Sequence, residues 1–452
     1  MPGINISTAT RTGATTTTVR ESSQAFFVGK AFRGPTDTAI KINGIEEFEL
    51  HFGGYVNGYY LHPTVETFFE EGGSQCWVAR AVGSSAVAAD LTLFNDTDEV
   101  ILLAAHGEGT WADDAGSPDR LSVSVTDGTA ANTRIVRIFK GGKQVMSTGT
   151  DGVDDDPDDT ELAAGLDLFL DSYGTGVVSC PETTGINDDL IAHAQDMNRL
   201  TFLHADSGMD PNDGGDYADL IDITQTIQGE ENAEHVAFFH PWIYVPTTIV
   251  GVSRLIPPDG YAAGARARAH NTVGPHQPGA GAISSARFVS GVEFAIGSTL
   301  SNSLDSESIN AVRIINNAVR IYGARSCSGD LPNFRYTTGQ DVLNHVVVES
   351  YRSLEDVLFR PIDSRNEMFI AIKQRLQSVM EGLRSIGAIY EAFDANGRRI
   401  DYGYTVVCDS SINPLSQLID GTVTARVGLR VTGIGDSIQV DIIKSSLTAS
   451  VV

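Results

Sequence analysis

The 452-residue sequence predicts a mixed α/β, α+β multidomain chain. Three observations carry this. Between residues 166 and 300, strand-like and helix-like segments alternate. Between 86 and 165, strand signals follow one another with no helix between them. At both ends stand short β-forming segments with too little neighbouring sequence to make a sheet of their own.

Residues 1–20 are rich in threonine, including the run Thr15 to Thr18. Such residues favour extended backbone, but at this length they cannot fold alone; composition by itself would leave them a disordered tail. Residues 21–85 read as strand, loop, helix, strand. The β-rich insertion, 86–165, offers strands at Val100–Ala104, Leu121–Val125 and Arg134–Phe139. Gly141-Gly142 makes a hairpin turn into Gln144–Met146, and the insertion ends in the acidic loop Asp151–Asp159. In 166–300, strands are expected at Gly176–Ser179, Leu200–His204 and His235–Tyr244, with helices at Asn187–Met197 and Tyr217–Ile227. That rhythm is an open α/β sheet. Residues 301–435 hold two helices, near Gly339–Leu358 and Ser364–Ile389, then strands at Tyr402–Cys408 and Thr422–Val431. A last strand, Ser437–Ile443, falls in the terminal segment 436–452.

The charge is informative. The net charge is −27, from 37 Asp and 21 Glu against 25 Arg and 6 Lys. Phosphate neutralisation needs clustered bases, so nucleic acid is not an expected partner. Acid excess with scarce lysine suits a protein kept soluble in concentrated salt. A GC-rich genome would also favour Arg over Lys, but it accounts less well for the aspartates. From Asp151 to Glu234 there are 22 acidic residues and one base, Arg199. No apolar run approaches membrane-spanning length and no secretory signal opens the chain, so a soluble protein without membrane insertion is expected. The four cysteines, Cys76, Cys180, Cys327 and Cys408, form no C-x-x-C pair and read as buried free thiols.

An α/β segment invites an enzyme hypothesis, but the motifs do not support one. There is no G-x-S-x-G elbow, Walker loop or H-E-x-x-H. Asp206–Asp216 has oxygen ligands calcium would accept, but not at EF-hand spacing; it and Asp151–Asp159 read as solvated loops. His270 and His276 lie six apart in a Gly/Pro-rich stretch. No catalytic residue, cofactor or metal is expected.

Several segments share a pattern. They are Ser23-Gln-Ala-Phe-Phe-Val-Gly-Lys-Ala-Phe-Arg-Gly-Pro35, His51-Phe-Gly-Gly54, Phe68-Phe-Glu-Glu-Gly-Gly73, Gln75-Cys-Trp-Val-Ala-Arg80, Pro257-Pro-Asp-Gly-Tyr-Ala-Ala-Gly-Ala-Arg-Ala-Arg268 and Gly323-Ala-Arg325. In this order they resemble the contractile tail sheath proteins of phages and related injection machines. Asp259 stands where the family segment has serine, Tyr322 where it has tryptophan, and Pro275-His-Gln-Pro-Gly-Ala280 has departed from the family's Ala-Pro-Ala segment. The resemblance covers about 1–85 and 250–452.

The resemblance implies a sheath core built from the N- and C-terminal segments, with the middle domain and insertion facing outward. It implies hexameric rings stacked helically around a tail tube protein, bounded by baseplate and tail terminator proteins, in a virion assembled in the host cytoplasm. Contraction would then drive the tube through the host envelope. It also implies exchanged β-arms, in which Ile4, Ile6, Thr16 and Thr18 at one end and Ile438, Val440 and Ile442 at the other complete a neighbour's sheet. An unpaired edge is a liability that such donation removes. On the helix at 364–389, Phe369, Ile372, Leu376, Val379 and Leu383 form a core stripe at helical spacing. Lys373 and Arg384 share another face and are the candidate tube contacts; an ordinary solvated face fits the same residues. The other readings are the sheath of a host-encoded injection particle, an α/β enzyme without a recognisable motif, and a calcium-binding surface-layer protein.

Overall fold

The computed structural model describes residues 21–436, apart from 96–97, 106, 110–120, 128–133, 141–154, 248, 250 and 363–364. The chain divides into two compact units, Met1–Val348 and Glu349–Val452.

In the first unit eight strands make one sheet: β1 (Ala25–Gly29), β2 (Ile40–Ile42), β3 (Cys76–Arg80), β4 (Val177–Ser179), β5 (Leu200–His204), β6 (Val236–His240), β7 (Ile309–Ile315) and β8 (Ala318–Tyr322). Their order is β8-β7-β6-β5-β4-β1-β3-β2. The six inner strands run parallel, and β2 and β8 close the edges antiparallel. The sheet therefore crosses the segment boundaries read from the sequence, taking β1–β3 from 21–85 and β7–β8 from beyond 300. The cause is visible in β1, Ala-Phe-Phe-Val-Gly, which is buried at all five positions. A strand apolar on both faces needs a neighbour on each side and a helical layer above and below. Of the other strands in 21–85, β3 borders β1 and β2 pairs on the far side of β3, so β4 takes the second edge of β1.

Alternate side chains of β1 enter opposite cores. Phe27 packs edge-to-face on Phe68 of the helix Leu61–Glu70, in the core that also takes Tyr261 from the helix Asp259–Thr272. Phe26 packs edge-to-face on Phe169, in the core that also takes Leu190 and Leu220 from the helices Asn187–Asp196 and Gly214–Gly229. Both phenylalanines are fully buried, each contributing about 2–3 kcal/mol. The result is helix, sheet, helix.

The segment expected as one strand at His235–Tyr244 is two. β6 ends at His240, and Ile243–Pro246 pairs instead with Ser253–Ile256 and Gly291–Val292 in a separate three-stranded sheet. Pro241 has no N–H to give a ladder, which is where the strand breaks. In the insertion, Asp90–Asn95 pairs with Asp98–Ala104 and Leu121–Asp127 with Arg134–Lys140, both antiparallel. The Gly141-Gly142 turn and the Gln144–Met146 strand lie outside the described residues. Among those residues no helix is long and apolar enough to cross a membrane.

The helix Thr337–Leu354 spans the point where the second unit begins. Within the second unit, the helix Glu367–Ser385 buries Phe369, Ile372, Leu376, Met380 and Leu383. Val379, expected in that stripe, is only half-buried, and Met380 replaces it. At about 100° per residue, 379 and 380 flank the arc set by 369, 372 and 376 on opposite sides, and the core lies on the side of 380. Tyr404–Val407 pairs antiparallel with Arg426–Leu429. The expected Ser437–Ile443 strand lies outside the described residues.

Candidate assembly site at the root of the N-terminal segment

The helix Asp259–Thr272 is buried along nearly its whole length, which its Ala/Gly-rich sequence permits. Its Gly260 and Gly264 meet the backbone of Leu61–Glu70: a Cβ on them would lie 2.2 Å from the Thr64 carbonyl oxygen and 2.8 Å from that of Phe68. That close approach carries Arg266, Arg268 and His270 into the interior.

Arg266 and His270, one turn apart, share a face. The Arg266 Nε donates to Asp341 Oδ2 (3.1 Å), a second guanidinium nitrogen bonds Asp341 Oδ1, and Nη1 donates to the Ser22 carbonyl (2.7 Å). His270 Nδ1 sits 3.1 Å from the same carbonyl, and its Nε2 3.4 Å from Asp341 Oδ2. Arg266, His270 and Asp341 are all buried, as are Ser22, Ser23 and Gln24. Burial alone would raise the Asp341 carboxyl, but the Arg266 guanidinium overcomes it and holds the group below the usual carboxylate range. Burial, reinforced by Arg266, pushes the His270 imidazole down to about 4, so it is neutral at pH 7 and gives its Nδ1 proton to Ser22. Gln24 adds two bonds, from Nε2 to the carbonyls of Tyr173 (2.6 Å) and Thr175 (2.9 Å). At the root of segment 1–20, Ser22 is thus held by side chains from 266 and 270, and Gln24 by the carbonyls of 173 and 175.

A second knot forms around Glu71, which is fully buried. Its Oε1 accepts the amides of Arg287 (2.9 Å), Phe288 (2.8 Å) and Val289 (3.1 Å), and Arg268 Nη1 lies 3.5 Å from Oε2. Nothing in the sequence singles out Glu71 among 58 acids.

In open α/β sheets, ligands enter the crevice at the carboxyl ends of strands where the winding reverses. Here that crevice lies between β1 and β4, whose onward connections lead to opposite sides. It is filled by the chain itself. Glu182 Oε1 accepts the amides of Lys30 (3.3 Å), Tyr60 (2.9 Å) and Leu61 (3.0 Å). A Cβ on Gly29 would lie 3.0 Å from its Cγ. Burial pushes the carboxyl up to about 7 against the pull of the three amides. Beside it, buried His204 Nδ1 is 3.0 Å from Asp259 Oδ1, the residue standing where the family segment has serine. All four cysteines are free and buried. Burial raises each thiol, Cys327 up to about 12, which leaves them poor nucleophiles. Among the described residues no three His, Cys, Asp or Glu side chains are placed to hold a metal.

The described parts of the acidic loops make local hydrogen bonds and helix caps. Asp155 accepts the Ser85 amide (2.9 Å), Asp156 pairs with Lys30 (3.5 Å), and Asp158 caps the helix Asp159–Ala164. Asp213 caps Gly214–Gly229, and Asp216 accepts the Asp210 amide (2.8 Å).

Of the residues singled out from the sequence, Ile4, Ile6, Thr16, Thr18, Ile438, Val440 and Ile442 lie outside the described residues. Lys373 is exposed and Arg384 half-buried on the Glu367–Ser385 helix. Arg384 is held by Glu381 (Nε to Oε2, 2.8 Å) and Glu391 (Nη1 to Oε1, 3.0 Å). Those carboxylates raise its pKa further.

No family model and no curated protein matches the sequence. The three-dimensional comparison does find likenesses. The baseplate structure of the anti-feeding prophage contains a chain that aligns over 99% of each molecule with a TM-score of 0.62 at 14% identity. The contracted helical sheath of the same particle aligns over 98% of this chain and 99% of that one, at 0.61 and 14%. The sheath tail protein of Listeria innocua aligns over 86% and 89%, at 0.58 and 11%. The fold is that of the contractile sheath proteins. Within this sheath fold, the separate sequence segments that carried the resemblance meet in space. Phe68–Gly73 brings Glu71 to Arg268 of Pro257–Arg268. In Gly323–Arg325, the Arg325 amide is held by Asn310 Oδ1 (2.7 Å) and its Nε by Asp305 (3.0 Å).

Proposed function

We propose that this chain is the structural subunit of a contractile tail sheath and has no catalytic role. Subunits polymerise as stacked hexameric rings around a tail tube, and the assembled lattice relaxes from a long state to a short one, driving the tube through the host envelope. The observation that carries the reading is the end-to-end likeness to sheath folds, over 98–99% of both chains, combined with a sheet whose ligand crevice is closed by Glu182. Residues 1–20 and 436–452 serve as arms that add strands to a neighbour's sheet. Head-to-tail joining of this kind does not close on itself and generates a helix of subunits. Lys373 is the better tube contact, being exposed, whereas Arg384 already has two carboxylates.

The full-length likenesses include the contracted sheath complex of an extracellular contractile injection system, aligned over 98% of each chain at a TM-score of 0.56 and 15% identity. This favours, as a second reading, the sheath of a host-encoded injection particle, with the same assembly. Negatively stained electron micrographs of the purified full chain at molar salt test both. Long hollow tubes with a regular helical repeat are expected; monodisperse particles persisting at high concentration would refute the sheath reading.

A further inference from the structure

We infer that Arg266, His270 and Asp341 are positioning residues that anchor the root of the N-terminal segment to the helix Thr337–Leu354, so that a pull on residues 1–20 is delivered to that helix; this rests on the sheath reading above. The geometry is specific. One planar guanidinium reaches both the Asp341 carboxylate and the Ser22 carbonyl, and His270 doubles the bond to Ser22. Ser22 is the second described residue of the chain, so residues 1–20 join the described body beside it. The only side chain among these three contributed by Thr337–Leu354 is Asp341, which holds Arg266 in its fork. Beside the covalent path into β1, a pull on the root therefore has a second path, from the Ser22 backbone through Arg266 to Asp341.

Energetics supports a positioning role over a stabilising one. Removing a charged pair from water costs more than a well-packed apolar cluster of the same size, so a buried pair is weak support for stability. What it supplies is direction: a bidentate fork accepts one arrangement of its partner, and lysine cannot reproduce it. An apolar cluster at 266 and 341 would fill the same space and leave the Ser22 carbonyl without its strongest donor.

The test uses the full-length soluble chain. Two variants are made, Arg266→Lys, and Arg266→Met combined with Asp341→Leu. Urea unfolding, hydrogen–deuterium exchange of the peptide covering residues 21–26, and tube formation by electron microscopy are compared with wild type. The expected result is exchange at the root faster by about tenfold or more, the loss of one charge-assisted bond, with an unchanged unfolding midpoint in the double variant and tubes sparse or absent. Unchanged exchange in a folded Arg266→Lys chain would overturn the anchor. Faster exchange with normal tubes would overturn its role in assembly. Absence of tubes from wild type would sink the sheath reading, and the exchange data would still decide the anchor on their own.

Discussion

Replacing Glu182 with glutamine isolates one buried charge. In the wild type, Oε1 accepts the amides of Lys30, Tyr60 and Leu61, and glutamine offers an oxygen at the same place. What changes is ionisation. Burial raises the carboxyl from its ordinary 4.5 to about 7, so the folded chain keeps a proton that the unfolded chain has released. The stability this group contributes is complete below about 4.5 and is lost as pH rises through about 7. Each pH unit in that window is worth about 1.4 kcal/mol, giving about 3 kcal/mol in total. The neutral amide of the Glu182→Gln variant has no such loss. Lys30, paired with Asp156, also faces this crevice but is common to both proteins, so the difference between them removes its contribution. Urea midpoints at pH 5, 6, 7 and 8 should fall with pH in the wild type relative to Glu182→Gln, the variant becoming the more stable by pH 8. Two curves that run parallel from pH 5 to 8 would refute the argument, because the carboxylate would then ionise at no cost to the fold.

Three further outcomes are expected. Glu71→Ala removes the acceptor of three amides and the partner of Arg268 and should cost about 3–5 kcal/mol, read as a lowered unfolding midpoint; a loss under about 1 kcal/mol would mean water replaces the carboxylate. Deleting residues 2–18 should leave a folded, soluble subunit that forms no tubes, and normal tubes would disprove arm exchange. Lys373→Glu with Arg384→Glu should weaken assembly templated by the tube while self-assembly survives, whereas equal loss of both would place this helix face between sheath subunits. Lys373→Glu alone is the cleaner version, since Arg384→Glu also breaks contacts with Glu381 and Glu391.

The regular elements were legible where one period dominates. The helices at 187–196 and 367–385 and the strands at 200–204 and 121–127 stand close to where their hydrophobic spacing puts them. Pairing was not legible. β1 borders β4 across about 150 residues of sequence, and no local pattern encodes that; only the doubly apolar character of Ala25–Gly29 hinted at a central strand. The polar interior was the least visible part. Glu71, Glu182 and Asp341 look like any other acids in an acidic chain until their amide and guanidinium partners are known. Arg199 is the exception that could have been found. As the single base between 151 and 234, it had a partner to seek. It lies fully buried, donating to the carbonyls of Phe169, Leu170 and Gly174, with its guanidinium 3.7 Å from the centre of the Phe26 ring.

The composition and the buried knots bear on one another. Salt screens exposed charges within a few ångströms at molar strength but reaches buried pairs far less. Glu381 and Arg384, both partly open to solvent, would lose most of their attraction in such a medium. Arg266–Asp341 and Arg268–Glu71, with side chains under one-tenth exposed, would keep theirs. A chain of net charge −27 gains from salt by having its surface repulsion reduced. The ties at residues 22, 71, 266, 268 and 341, which join distant segments, are shielded from the same screening. Under the proposed sheath reading, a lattice in concentrated salt would rely on apolar burial and backbone pairing between subunits, while the root of the N-terminal segment at Ser22 would be held by charges the salt does not reach.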